Sequence, residues 1–229
     1  MPLLPYSIQV LEYADAFTEA AYSSRAERTL AMVKPDAIQH AGKIIDAILS
    51  SGLRISRMRM CRLSPTECAR FYAVHQGKPF FDGLVRYISS GRVLAMELMG
   101  PGAIAKWRQL IGPTDCNVAR QEAPQSLRAR FGTDKTLNAC HGSDAPETAA
   151  EEVGFFFGSP QKVGACAVLK NTTLALIKPH AVEAGLTGKI LDELLAFFEV
   201  TALEMMAIDR TVANEFYEVY RCGPAPLPL

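Results

Sequence analysis

The chain has 229 residues and 25.0 kDa, 49% hydrophobic and 21% charged, enough for one full-sized domain plus a fragment or for two small domains. Basic and acidic residues balance at 24 each, so a global electrostatic pull toward nucleic acid or a membrane surface is excluded and any anion site has to be local. No apolar run reaches the length of a membrane span, and no basic segment leads into an apolar stretch at the N-terminus; a cytosolic protein is expected.

The predicted elements begin with a short apolar strand over residues 28–33, ended at Lys34-Pro35 because a residue before proline is pushed out of the helical region. Ile38, Ile44, Ile45, Ile48 and Leu49 have helical spacing, and Ser51-Gly52 stops that helix. Ile55, Met58, Met60 and Leu63, interleaved with arginines, read as a second strand with one slip in its alternation. Ser64, Pro65 and Glu67 form a capping-box signature for a helix over 65–75. A helix over 79–88, a strand over 93–99 and a helix over 103–110 follow. Residues 112–124 read as a loop, 126–131 as a short turn, and 137–140 as a fourth strand leading into His141. Asp144 and Glu147 have capping-box spacing for a helix running to Phe157. The expected fold is α/β (α+β): a ferredoxin-like βαββαβ antiparallel sheet with covering helices.

The chain also repeats itself. Thr29-Leu-Ala-Met-Val-Lys-Pro recurs as Thr173-Leu-Ala-Leu-Ile-Lys-Pro, Gly42-Lys-Ile-Ile-Asp as Gly188-Lys-Ile-Leu-Asp, and Phe71-Tyr72 as Phe216-Tyr217. A period of about 145 residues means tandem domains rather than a solenoid. The second copy has only its first part, and the Pro-rich run 223–229 reads as an aberrant ending such as an alternative splice product. Its apolar positions Leu191, Leu194, Leu195, Phe197 and Phe198 need a partner surface, so it is expected either to pack on the first copy or to be poorly ordered. The expected division is a remnant over 1–26, a complete domain over 27–158, a linker over 159–171 and a truncated second domain over 172–229.

Chemistry concentrates around His141, which sits just ahead of a helix start, where phosphate groups are favoured. Six scattered cysteines show no CxxC pair and no matched histidine spacing, which argues for free thiols in a reducing compartment and against a zinc site or disulfide framework. Cys140 lacks an evident third group to orient it as a nucleophile.

Lys-Pro-Asp at 34–36, Pro-Phe-Phe at 79–81, Arg108 ahead of Thr114, Arg128, and Asn138-x-x-His141-Gly-Ser-Asp144 stand in an order and spacing that resembles the nucleoside diphosphate kinase family. The resemblance covers residues 27–157 fully and 172–220 as a partial copy; the first copy has a shorter turn at 39–42 and extra residues at 117–124. The tandem layout and residues 8–15 resemble the family's tandem-domain ciliary and centrosomal branch, in which a small N-terminal domain precedes two kinase-like ones.

The resemblance implies phosphoryl transfer from a nucleoside triphosphate such as ATP to a nucleoside diphosphate, with His141 phosphorylated. Imidazole suits that role, being substantially neutral and nucleophilic near neutral pH. Lys34, Arg108 and Arg128 would supply positive charge, Thr114 and Asn138 polar contacts to phosphate and sugar, and Phe80 a stacking face for any base. Tyr72 would sit near the nucleophile, Ser143 would hydrogen-bond the transferring phosphoryl, and Glu152 would orient the imidazole. Mg²⁺ would arrive with the nucleotide rather than in a protein cage. The second copy keeps Lys178 and Tyr217 but lacks the arginines and the histidine motif, so it is expected not to catalyse. The alternative implied by the same resemblance is a structural role at microtubules, the axoneme, the centrosome or γ-tubulin complexes, with nucleotide binding or autophosphorylation only.

Overall fold

A computed structural model describes residues 26–158, 163–164, 166–167 and 170–218. The expected N-terminal remnant (1–26, all but its last residue), much of the linker and the Pro-rich tail lie outside the described residues. The central sheet has four antiparallel strands in the order β2-β3-β1-β4: β1 Glu27–Val33, β2 Arg54–Cys61, β3 Val93–Gly100 and β4 Cys140–Gly142. This is the expected ferredoxin-like arrangement.

Burial follows from strand position. β1 lies between β3 and β4, and every residue from Thr29 to Val33 is buried, which explains its unbroken apolar run. Alternate side chains feed two cores. Ala31 and Val33 face a cluster with Ile44, Ile45 and Ile48, whereas Leu30 and Met32 face one with Cys68, Leu84, Ile88 and Phe156. The first cluster is covered by α1 (Ala41–Ser50) and α4 (Ala103–Ile111), the second by α2 (Pro65–Phe71), α3 (Phe81–Ser89) and α7 (Pro146–Phe157). A 3-10 turn, Pro35–His40, joins β1 to α1.

Local signals account for most boundaries. Gly52, at φ 80°, supplies the left-handed residue after α1. Ser64 Oγ accepts from the Glu67 N–H at 3.2 Å while Glu67 Oε2 accepts from the Ser64 N–H at 2.8 Å, the expected capping box. The slip in β2 is a register shift between Ile55 and Arg57.

Several boundaries differ from expectation. The helix expected over 65–75 stops at Phe71 and tightens into a 3-10 turn, Ala73–His75, with Tyr72 buried and Val74 left exposed. The expected loop 112–124 contains α5 (Cys116–Glu122), started by Asp115 Oδ1 accepting from the Asn117 N–H; its flanking Gly112 and Pro124 mask a helix with only two buried positions, Cys116 and Ala119. The turn after it is α6 (Leu127–Phe131). The fourth strand starts later than expected, because Asp134 Oδ1 accepts the N–H groups of Thr136 and Leu137 and holds that stretch as a turn. At α7, Thr148 rather than Glu147 closes the cap: its Oγ1 accepts from the Ala145 N–H and its hydroxyl donates to Asp144 Oδ1.

From the second copy, α8 (Pro179–Glu183) and α9 (Thr187–Phe197) follow in chain order. α9 packs on α1 with Leu191 buried and Leu195 against the first core, but Phe197 and Phe198 are exposed and not part of the docked face. Residues 173–177, which repeat the sequence of β1, are not a strand, and Leu174 and Leu176 lie exposed. A central strand needs a neighbour on each side, and among the described residues no strand pairs with 173–177. The described residues from 26 to 205 belong to one compact unit; residues 206–218 fall outside it and hold α10 (Arg210–Phe216), capped by Asp209. No helix among the described residues is long and apolar enough to cross a membrane.

Candidate functional site

His141 lies within β4 rather than after it, paired with Met32. The strand is pinned from below: Trp107, fully buried on α4, donates its indole N–H to the His141 carbonyl at 3.1 Å. Gly142 makes this approach possible, since a Cβ there would sit 2.5 Å from the Trp107 ring. Just upstream, Ala139 takes the left-handed conformation at φ 64°, costing about 1–2 kcal/mol for a residue with a Cβ. Two bonds hold it: the Lys34 N–H donates to the Ala139 carbonyl at 2.8 Å, and Asp36 Oδ2 accepts the Ala139 N–H at 3.0 Å. Asp36 is itself held by the Tyr87 hydroxyl through Oδ1.

Both Glu152 oxygens lie 2.9 Å from His141 Nε2. A carboxylate accepts, so Nε2 carries the proton and the neutral ring keeps its lone pair on Nδ1. Ser143 donates its hydroxyl proton to Glu152 Oε2 at 2.6 Å, and its Oγ accepts from the Leu30 N–H at 3.2 Å. The Ser143 hydroxyl is thus engaged with Glu152 and the β1 backbone. Its proton is directed at Glu152, and it acts on the ring through that carboxylate. The edges of Phe71 and Tyr72 close the other side of the imidazole, with ring centroids at 5.4 Å and 5.9 Å. The Tyr72 hydroxyl is buried, makes no hydrogen bond among the described residues, and is held protonated by burial.

Two cations, Lys34 and Arg128, are held against the stretch leading into His141, through Asn138 and the Cys140 carbonyl. Lys34 is 6% exposed, and its Nζ donates to Asn138 Oδ1 at 2.6 Å. Burial, together with nearby Arg128, lowers its pKa to about 8 against a partial offset from Asp36. Arg128, on α6, donates to the carbonyls of Gly112 at 2.8 Å and Cys140 at 3.0 Å and to Thr114 Oγ1 at 3.4 Å, while its buried Nε has no partner among the described residues. It thus ties the loop after α4 to β4 as well as carrying charge. Asn138 Nδ2 completes the link, donating to the Thr114 and Lys135 carbonyls.

Arg108, one residue beyond Trp107 on α4, is exposed and lines a shallow groove with Glu27, Ile104, Asp144 and Pro146. Phe80 is half exposed, with His75 edge-on to it at 5.5 Å and the Lys78 ammonium 5.9 Å from its ring. The Cys140 thiol is pushed up to about 12 by burial and is no nucleophile near neutral pH. Among the described residues no group of three His, Cys, Asp or Glu side chains is placed to hold a metal ion.

One hydrogen-bonded network thus joins Lys34, Thr114, Arg128 and Asn138, and another joins His141, Ser143 and Glu152; Tyr72 packs on the imidazole, while Arg108 and Phe80 stand at the rim. Sequence reasoning passed over Trp107, Asp36 and Gly142. Their signals were present but weak: the only tryptophan stands directly before Arg108, the aspartate closes Lys-Pro-Asp, and the glycine follows the histidine.

Comparison with known proteins gives a consistent picture. The family model described as nucleoside diphosphate kinase matches residues 27–162 and 171–225. The chain is 45% identical over 215 residues to nucleoside diphosphate kinase homolog 7 of Rattus norvegicus, covering 93% of this chain and 54% of that protein. It is 49% identical over 133 residues to a nucleoside diphosphate kinase of Aquifex aeolicus, covering 57% of this chain and 94% of that one. The chain therefore spans about half the length of the rat relative. Among solved structures, an Aquifex aeolicus nucleoside diphosphate kinase superposes with TM-score 0.58 at 47% identity, over 60% of this chain and 99% of that one. A halophilic one from Halobacterium salinarum, in complex with CDP, gives 0.55 at 33% identity, over 70% and 99%.

Proposed function

The chain belongs to the nucleoside diphosphate kinase family, and we propose that its first copy passes the terminal phosphoryl of a nucleoside triphosphate to a nucleoside diphosphate through His141. The observation that carries this reading is the Glu152 carboxylate bracketing Nε2, which leaves the Nδ1 lone pair as the nucleophile. Nδ1 attacks the γ-phosphorus, the bond to the β–γ bridging oxygen breaks, and the nucleoside diphosphate leaves with that electron pair. A second diphosphate then takes the phosphoryl from nitrogen, and Nδ1 recovers its lone pair. The imidazolium-like charge that develops on the ring is stabilised by Glu152, held in turn by Ser143.

Phosphoryl transfer needs positioning and charge neutralisation more than covalent chemistry from the protein. Lys34 and Arg128 are anchored from behind by hydrogen bonds, so they meet a phosphate with little reorganisation. Arg108 approaches from the groove, Thr114 stands against Arg128, and Asn138 fixes Lys34. Phe80 offers an exposed ring on which any base can stack. Mg²⁺ belongs to the substrate as the nucleotide's counter-ion. The CDP bound by the halophilic neighbour is a ligand of the class this reading requires.

The test is incubation with γ-labelled ATP and Mg²⁺, comparing the protein with His141→Asn. Acid-labile label on the unaltered protein only, released by added nucleoside diphosphate, is the expected result. Label on neither, with nucleotide still bound, would shift the reading to nucleotide binding in a structural, microtubule-associated role.

A further inference from the structure

The two sequence copies meet through residues that correspond to each other in the repeat. Gly42 and Asp46 on α1 correspond to Gly188 and Asp192 on α9. A Cβ on Gly42 would lie 2.3 Å from the Asp192 nitrogen, and one on Gly188 would lie 2.4 Å from the Asp46 nitrogen. The strand edge repeats the pattern. At the spacing that relates Phe71 to Phe216, Met58, Arg59 and Met60 correspond to Leu203, Glu204 and Met205. The Met60 N–H donates to the Leu203 carbonyl at 2.7 Å, and the Met205 N–H donates to the Met58 carbonyl at 2.9 Å. Each contact has its mirror. That is the signature of an isologous interface, here formed within one chain.

On such an axis a residue faces its own counterpart, and Arg59 does so, forming an antiparallel bridge with Glu204. The counterparts carry opposite charge: Arg59 Nη2 lies 2.9 Å from Glu204 Oε1, with side chains 18% and 31% exposed. Pairing of two first copies would set Arg59 against Arg59, and pairing of two second copies would set Glu204 against Glu204. Like charges directly opposite on neighbouring strands are unfavourable. We propose that the α1–β2 face is a self-complementary pairing surface that the Arg59–Glu204 pair commits to the chain's own second copy and closes to the first copy of another molecule.

Amide exchange at Met60 and Met205 in the full chain tests the charge element. Glu204→Arg and Arg59→Glu should each speed exchange at both amides about tenfold, from loss of the pair and gain of a repulsion. The double swap, Arg59→Glu with Glu204→Arg, should exchange more slowly than either single variant, even though Arg59 also donates to the Phe156 carbonyl. Singles as slow as the unaltered protein, or a swap no slower than the singles, would overturn the proposal. A second measurement tests that the pairing is internal. The pair lies between the two hydrogen bonds, the position where opposed Cα atoms come closest. In Arg59→Cys/Glu204→Cys, mild oxidation should give a 59–204 disulfide in a species of monomer mass. A 59–204 link only at dimer mass, or no such link, would also overturn it.

Discussion

At the residue scale the site is a set of side chains whose properties are set by what holds them. Lys34 is the clearest case. Its folded pKa of about 8 lies below the ordinary 10.5, because a buried ammonium loses water and sits near another cation. Charge on Lys34 is full below about pH 8 and is lost as pH rises through it. Affinity for Mg-ADP should therefore weaken above pH 8, approaching tenfold per pH unit, the limit for a single linked proton. Lys34→Met should bind more weakly and stay flat over pH 7–9; titration calorimetry across that range checks both. Stability of the unliganded protein moves the opposite way. The unfolded chain binds this proton more tightly, so Lys34's contribution is fully present above 10.5 and lost as pH falls through 8. Lys34 and His141 could be singled out from sequence because each stands in a short motif with recognisable chemistry. The orientation of Ser143 could not, because its partners Leu30 and Glu152 come from β1 and α7, and only the fold sets them beside it.

At the element scale the sheet is fastened by a carboxylate in the middle of an apolar strand. Glu97 on β3 is 1% exposed and accepts from Arg28 on β1 and from Ser56 and Arg57 on β2. Burial raises its pKa, but the hydrogen bonds from Arg57, Ser56 and Arg28 outweigh that and bring it to about 2. Its contribution to stability is fully present above the unfolded value of 4.5 and fades as pH falls toward 2. Glu97→Gln should cost about 1–3 kcal/mol near neutral pH, below the ~3–5 kcal/mol for breaking a fully buried pair because both arginines are about half exposed. Urea unfolding at pH 7 and pH 3 should show the gap between protein and variant narrowing at the acid value. The sequence did not advertise this role: the alternation marks the strand, while the partners of its one acid are set by register. α5 escaped for a related reason, since two buried positions between a glycine and a proline are too few to show a helical period.

At the scale of the whole molecule, the docking of α9 onto α1 rests on backbone contact at two glycines. Gly42→Ala and Gly188→Ala should each destabilise by about 1–3 kcal/mol, because the added methyl meets main-chain atoms of the opposite helix that cannot rotate away. Helix propensity works against this by about 1 kcal/mol and does not offset it. Gly83 and Gly154 provide the contrast, both helical with nothing within 4 Å of a Cβ; their alanine variants should gain up to about 1 kcal/mol. Denaturant midpoints of the four variants decide the matter by sign alone. The same docking explains how part of the second copy is held. Its helix buries Leu191 on a finished core, whereas residues 173–177, with no strand beside them among the described residues, do not form one.

The sequence by itself determined the sheet's composition, most helix starts, the tandem repeat and the family motifs on which the proposed transfer rests, because periodicity, capping and short motifs are local and survive without coordinates. Tertiary structure alone decided which nitrogen of His141 faces Glu152, where the proton of Ser143 points, how Trp107 reaches β4, and that the repeat closes on itself around Arg59 and Glu204. Each of these depends on groups from different elements meeting within hydrogen-bond distance, and such meetings are fixed by strand order and helix packing rather than by any local pattern of residues.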